Sequence, residues 1–189
     1  MHFFSEPHFS AGFLTTTLFN QPSTTTDLSL GLKDTHVLVT GGAGHIGRTV
    51  VSAFLASGAK VSSLDIAYLH DKSPMPNQNL LEIYADTSSE ASLKSAWQHS
   101  VTKFGTVETC VALAALDFGV LEYHETAADM SIDQFWRTLE VNVLGTFAVA
   151  RKWLRGLKMH KSAENPEQLR NVSLIIIGSE SSHWGWDNV

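Results

Sequence analysis

The run Thr40-Gly41-Gly42-Ala43-Gly44-His45-Ile46-Gly47 constrains the fold of this 189-residue chain more than any other stretch. It follows a β-type run, His36-Val37-Leu38-Val39-Thr40. It opens a helical pattern in which Ile46, Val50, Val51, Phe54 and Leu55 recur on one face. A strand, glycines spaced three apart and a helix start together make a turn that can cradle phosphate. Gly41 lets the chain turn sharply, Gly44 lets the backbone approach a pyrophosphate, and Gly47 lets the helix pack close on the strand. The free N–H groups of the first helical turn and the helix dipole favour negative charge. The context predicts a dinucleotide site; the alternative is an ordinary tight strand-to-helix turn.

Ser57-Gly58-Ala59 stops that helix, and Lys60 to Asp65 reads as a second strand ending in an acid. Asp65 stands about twenty residues past the turn, where a carboxylate accepts hydrogen bonds from an adenosine ribose and repels a 2′-phosphate. This favours NAD over NADP, against the plainer reading of a solvated strand-end aspartate. Leu80 to Asp86 is a third strand. Thr87-x-x-Glu90 reads as a capping box starting a helix through about Phe104, stopped at Gly105. Val107 to Ala115 is almost continuously apolar, as for a strand buried on both faces of a parallel sheet. Strands alternating with helices at this spacing predict βαβ units with right-handed crossovers.

Asp117 to Met130 reads as a long loop. Ser131-x-x-Gln134 caps one long helix through about Leu157, with Phe135, Leu139, Val143 and Phe147 as its apolar stripe. Asn142 lies beside that stripe, and an amide in an apolar segment needs partners or a task. Lys158 to Arg170 is a solvated connection. Val172 to Ile177 is a fifth strand, running into Gly178-Ser179.

Composition narrows the partners. The formal charge of −6 and the lack of a basic stripe argue against nucleic acid or an anionic membrane surface. No apolar run is long enough to span a bilayer. No metal site is predicted. Cys110, the one cysteine, excludes an intrachain disulfide and reads as a small core residue in a reducing compartment. Residues 1–32 contain no Lys or Arg, against both a secretory signal and a transit peptide, so a cytoplasmic setting is expected. They read as a flexible Ser/Thr-rich leader, although Phe3, Phe4, Phe9, Phe13, Leu14 and Phe19 are side chains the domain could bury. Residues 33–189 are the folded domain.

With the turn, Asp65, Asp86, Asn142 and Ser179 in place, the chain from about Leu32 to Val189 resembles a short-chain dehydrogenase/reductase. The resemblance implies an α/β fold: a Rossmann-type, doubly wound parallel sheet in the order 3-2-1-4-5, incomplete at about five strands. It implies an NAD(P)-dependent oxidoreductase that interconverts an alcohol and a ketone, with Thr40, Gly41, Gly44, His45, Ile46 and Gly47 on the cofactor. Asp65 would hold the ribose, and Asp86 with Thr87 would meet the adenine edge. Asn142 would position a water in a proton relay. Ser179 would hydrogen-bond the substrate oxygen, with Ser181 and Ser182 as neighbouring candidates.

Three departures qualify the resemblance. His45 stands where the middle glycine is usual, and the resulting Thr-Gly-x-x-Gly-x-x-Gly looks more like the epimerase-like branch. The Asn-Asn-Ala-Gly after the fourth strand is here Ala112-Leu113-Ala114-Ala115, which is expected to loosen the nicotinamide side. The Tyr-x-x-x-Lys pair would follow Ser179 by about a dozen residues, past Val189, and none is expected within the chain. The alternatives are therefore a non-catalytic nucleotide-binding module or a nucleotide-sugar epimerase relative. Trp184 and Trp186 suggest an apolar pocket wall. The fifth strand, as an apolar sheet edge, predicts self-association into a homo-oligomer.

Overall fold

The computed structural model describes residues 30–68, 77–116, 128–164, 166 and 168–179. Most of the leader, most of the loop after Asp117, and Ser181, Ser182, Trp184 and Trp186 lie outside the described residues.

Strands β1 (His36–Thr40), β2 (Lys60–Asp65), β3 (Leu80–Tyr84), β4 (Thr109–Ala112) and β5 (Ser173–Ile176) form one sheet in the order β3-β2-β1-β4-β5. Every pairing is parallel, as the alternation of strands and helices predicts. The register sets Thr40 opposite Leu64 and Ala112, and Ala112 opposite Ile176. The carboxyl ends of the strands therefore share one edge, where such sheets bind ligands.

Helix α1 (His45–Ala56) covers one face, where Val51 packs with Val37, Val39, Val61 and Val111. Helices α2 (Glu90–Phe104) and α4 (Thr146–Lys161) cover the other, bringing Leu93, Trp97, Val149 and Trp153 against Leu38, Leu64, Ile83 and Cys110. Both faces of β1 are thus closed, which is why its side chains are uninterruptedly buried. Cys110 is in the core as its apolar context predicts, and burial pushes its thiol pKa up to about 12.

At the opposite end of β1, His36 is buried at 2% exposure. Its Nδ1 lies 2.9 Å from the Gly105 carbonyl oxygen, which can only accept, so Nδ1 carries the proton. Nε2 then accepts from the hydroxyls of Ser62 and Ser100, at 2.9 and 3.2 Å. Burial lowers the imidazole pKa to about 4.

Several local expectations are corrected. Helix α2 is capped by Ser89, whose side chain accepts from the Ser92 N–H at 3.3 Å, and not by Thr87. Thr87 is buried against Gly145, where a Cβ would stand 2.9 Å from its Oγ1, so its hydroxyl is not at the helix start. The long helix expected from Ser131 is broken into α3 (Ile132–Leu139), a π-helical segment (Glu140–Gly145) and α4, which runs on to Lys161. The Ser131–Gln134 capping box itself forms as expected.

The stripe is also reassigned. Val143 and Phe147 are each 61% exposed, while Val149 and Trp153 face the sheet. Phe147 and Val149 are two residues apart, about 200° around a helix, so the buried face is nearly opposite the expected one. No helix among the described residues is long and apolar enough to cross a membrane.

Candidate functional site at the carboxyl edge

The glycine turn is fixed to the strands on both sides of β1. The N–H groups of Gly41 and Gly42 donate to the Leu64 carbonyl oxygen at 2.8 and 3.2 Å. On the other side, the Thr40 hydroxyl oxygen accepts from the N–H groups of Leu113 and Ala114, at 3.1 and 3.2 Å. Thr40 thus secures the segment that the absent asparagines were expected to leave loose.

Gly41 has φ of 72°, the left-handed region, and a Cβ there would stand 2.9 Å from the Ala114 N and Cα. A Cβ at Gly47 would overlap the Gly41 carbonyl oxygen, so Gly47 does let the helix close on the turn. Gly44, His45 and Ile46 are exposed at the start of α1. No side chain caps that start, and its first turn holds no acidic residue. Among the described residues the first N–H groups therefore have no side-chain cap, an arrangement that suits an anion.

Asp65 stands beside this turn. Its Oδ2 accepts from the Ala43 N–H at 3.0 Å and its Oδ1 from the Ala67 N–H at 2.9 Å. A carboxylate has about four acceptor positions, so capacity remains for hydroxyl donors. Asp86 follows β3: its Oδ1 accepts from the backbone N–H and hydroxyl of Ser88, at 2.9 and 2.6 Å. Its Oδ2 lies 3.6 Å from the Arg137 guanidinium. Burial works against ionisation of Asp86, but the Ser88 donors and Arg137 outweigh it and hold the pKa below the usual carboxylate range.

Asn142 lies in the π-helical segment and reaches across to β4. Its Oδ1 accepts from the Leu116 N–H at 2.7 Å, and its Nδ2 donates to the Leu116 carbonyl at 3.0 Å. Ser179 is exposed, three residues past β5, on the same sheet edge. The structure thus joins Thr40 to Leu113 and Ala114, Asp65 to the turn, Thr87 to Gly145, and Asn142 to Leu116.

Three contributors escape the sequence reading. A Cβ at Gly42 would collide with the Ser63 Oγ, so a fourth glycine is required where the chain passes β2. Ser63 in turn hydrogen-bonds the Tyr68 hydroxyl at 2.8 Å. Two adjacent serines, Ser62 and Ser63, in a buried strand are the signal that could have revealed these contacts. The expectation that the chain holds no Tyr-x-x-x-Lys is also wrong, for Tyr68 and Lys72 have that spacing. They follow β2, however, not β5. Burial raises the Tyr68 pKa despite the bond with Ser63, which is opposite to what a proton-transferring tyrosine needs, and Lys72 lies outside the described residues. Among the described residues no cluster of three His, Cys, Asp or Glu could hold a metal ion.

An open α/β sheet with a glycine turn at its carboxyl edge defines a nucleotide-binding class of fold. The sequence model for short chain dehydrogenases matches residues 35–186. A short chain dehydrogenase/reductase of Colletotrichum higginsianum, dpchG, is 27% identical over 161 residues, covering 82% of this chain and 57% of that protein. The cis-2,3-dihydrobiphenyl-2,3-diol dehydrogenase of Paraburkholderia xenovorans is 33% identical over 132 residues, covering 67% of this chain and 46% of that protein. The chain therefore spans about half the length of these relatives. Among solved structures, a 3-ketoacyl-(acyl-carrier-protein) reductase from Brucella melitensis complexed with NADH has the same fold. Its TM-score is 0.65 at 23% identity, with 80% of this chain and 60% of that one covered. The chain belongs to the short-chain dehydrogenase family, a family of oxidoreductases.

Proposed function

We propose that this chain is an NAD(P)-dependent oxidoreductase acting between an alcohol and a ketone, and that residues 33–189 are its cofactor-binding part behind a leader of residues 1–32. The observation that carries the reading is the uncapped, acid-free start of α1 behind a left-handed Gly41, with Asp65 hydrogen-bonded to the same turn. Thr40, Gly41, Gly44, His45, Ile46 and Gly47 would form the diphosphate cradle. Asp65 would accept from the ribose hydroxyls, and its charge favours NAD over NADP. Asp86 and Thr87 would border the adenine. When bound, a nicotinamide supplies hydride transfer.

Ser179 would orient the substrate oxygen. Asn142 would hold the exit of β4 in place through Leu116 and support a water in the proton relay. The tyrosine–lysine pair implied by the resemblance falls past Val189, so cofactor binding and turnover are separate tests for these 189 residues. The lone buried thiol suits a reducing, cytoplasmic setting.

Titration of NADH and NADPH into the protein, followed by nicotinamide fluorescence and then by a carbonyl-reduction assay, tests the proposal. Tighter binding of NADH is expected. No binding of either nucleotide sinks the cofactor reading.

A further inference from the structure

Ser63 is a fully buried hydroxyl on a valine-lined face of the sheet. Strand alternation puts Val61, Ser63 and Asp65 on the side that α1 covers, and the register sets Ser63 between Val39 and Glu82. A buried hydroxyl needs a partner. The chain supplies one from five residues further on: past Asp65 it turns back, and the Tyr68 hydroxyl meets the Ser63 Oγ at 2.8 Å. Burial raises the Tyr68 pKa, so this stays a bond between two neutral hydroxyls at working pH.

The bond lies against the glycine turn. A Cβ on Gly42 would collide with the Ser63 Oγ and stand 3.4 Å from the Tyr68 hydroxyl oxygen. Ile66 and Ala67 are therefore tethered at both ends, by Asp65 in β2 and by Tyr68 pinned to Ser63. From inside the tether Ala67 donates its N–H to Asp65 Oδ1 at 2.9 Å. Ala43 of the glycine turn donates to Oδ2 at 3.0 Å. The carboxylate thus has one backbone donor on each oxygen, and the place of the Ala67 donor depends on where Tyr68 is held.

A ribose diol brings two hydroxyl donors, and it binds a carboxylate best when that carboxylate is already oriented. A 2′-phosphate gains nothing from the orientation, because like charges repel at any angle. We propose that Tyr68 is a positioning residue for cofactor choice: its bond to Ser63 holds the exit of β2 so that Asp65 is pre-set for a ribose diol. The inference rests on the reading of Asp65 as the ribose acceptor. Without the Tyr68 hydroxyl, residues 66–68 are free to shift, the Ala67 donor moves with them, and Asp65 loses its fixed orientation. Preference for NADH over NADPH then falls.

Tyr68→Phe keeps the ring and deletes the hydroxyl. Fluorescence titrations of NADH and NADPH into the full 189-residue chain compare this variant with the unaltered protein, alone and in the Asp65→Ala background. NADH affinity is expected to fall about three- to tenfold, the scale of one hydrogen bond, with NADPH affinity changed by less than about twofold. In the Asp65→Ala background the same substitution should leave the NADH-to-NADPH ratio unmoved, because Tyr68 acts through that carboxylate. Equal weakening of both nucleotides would make Tyr68 a support of the turn alone and overturn the proposal. So would unchanged affinity for both, or a ratio that shifts as much without Asp65 as with it. Those outcomes leave the cofactor reading standing, whereas no binding of either nucleotide by the unaltered chain removes both. If Tyr68→Phe fails to fold, amide exchange of the unaltered protein decides. Protection of the Ala67 amide before any nucleotide is added supports the pre-set carboxylate, and fast exchange there overturns it.

Discussion

Asn142 grips Leu116 by both its backbone N–H and its carbonyl oxygen, with bonds of 2.7 and 3.0 Å from one carboxamide to one residue of the β4 exit. The π-helical segment that carries Asn142 is the local distortion that accompanies this reach, and such segments frequently mark functional positions. Asn142→Ala removes both bonds and leaves two backbone groups without that partner. A loss of about 1–3 kcal/mol is expected, or several degrees in Tm. Thermal melting with hydrogen exchange at residues 113–116 checks it. Unchanged exchange there would show that the clasp is incidental.

Thr40→Val keeps the shape of the side chain and deletes the acceptor shared by Leu113 and Ala114. Loss of roughly 2–4 kcal/mol is expected, since both donors lose a buried acceptor. NADH binding should weaken with it, while Thr40→Ser, which retains the hydroxyl, should recover most of both. A serine variant no better than valine would refute the account.

Gly42 and Ser63 are predicted to be coupled. Gly42→Ala places a Cβ into the Ser63 Oγ and should reduce both stability and nucleotide binding. In the double variant Gly42→Ala/Ser63→Ala the obstructing oxygen is gone, and most of the loss should be regained. Strict additivity of the two single changes in a double-mutant cycle would rule the contact out.

Asp65→Ala should raise the affinity for NADPH relative to NADH by tenfold or so, the scale of one removed charge near a 2′-phosphate, about 1.4 kcal/mol. Parallel fluorescence titrations measure the ratio. An unmoved preference would remove Asp65 as the discriminating group.

His36 makes stability pH-dependent. Its pKa is lowered from 6.5 in the unfolded chain to about 4 in the fold, so between those values the unfolded state binds more protons. Stability from this group is therefore whole above pH 6.5 and declines as pH falls through the window. It levels off below pH 4, for a total of about 3 kcal/mol. Denaturant midpoints across this range, with an imidazole titration by nuclear magnetic resonance, check the claim. A His36 that titrates near 6.5 in the folded protein would defeat it.

The strands β1 and β4 were legible from their apolar runs and the first strand-to-helix turn from its glycines, while the order 3-2-1-4-5 was legible only through the family resemblance. Gly41 and Gly47 behave as their spacing implies because the steric demands of one turn are local. The failures arise where a long-range contact decides. Asn142 and Leu116 are 26 residues apart, and nothing periodic announces their bond. Thr87 reads as a cap until Gly145 is seen to approach it. The apolar stripe was ambiguous in itself, because Phe135, Leu139, Val143 and Phe147 repeat every four residues and so do Gly145, Val149 and Trp153. Only packing against β4 tells the two faces apart.

Cys110 has a practical consequence. It is the sole thiol, lies on a strand between β1 and β5, and is fully shielded, with an acidity suppressed to a pKa of about 12. A thiol reagent can react with it only in molecules whose sheet has parted at β4. The labelling rate of the unmodified protein therefore clocks the opening of its own centre. Any nucleotide that seals the carboxyl edge should slow that clock without touching the sulfur.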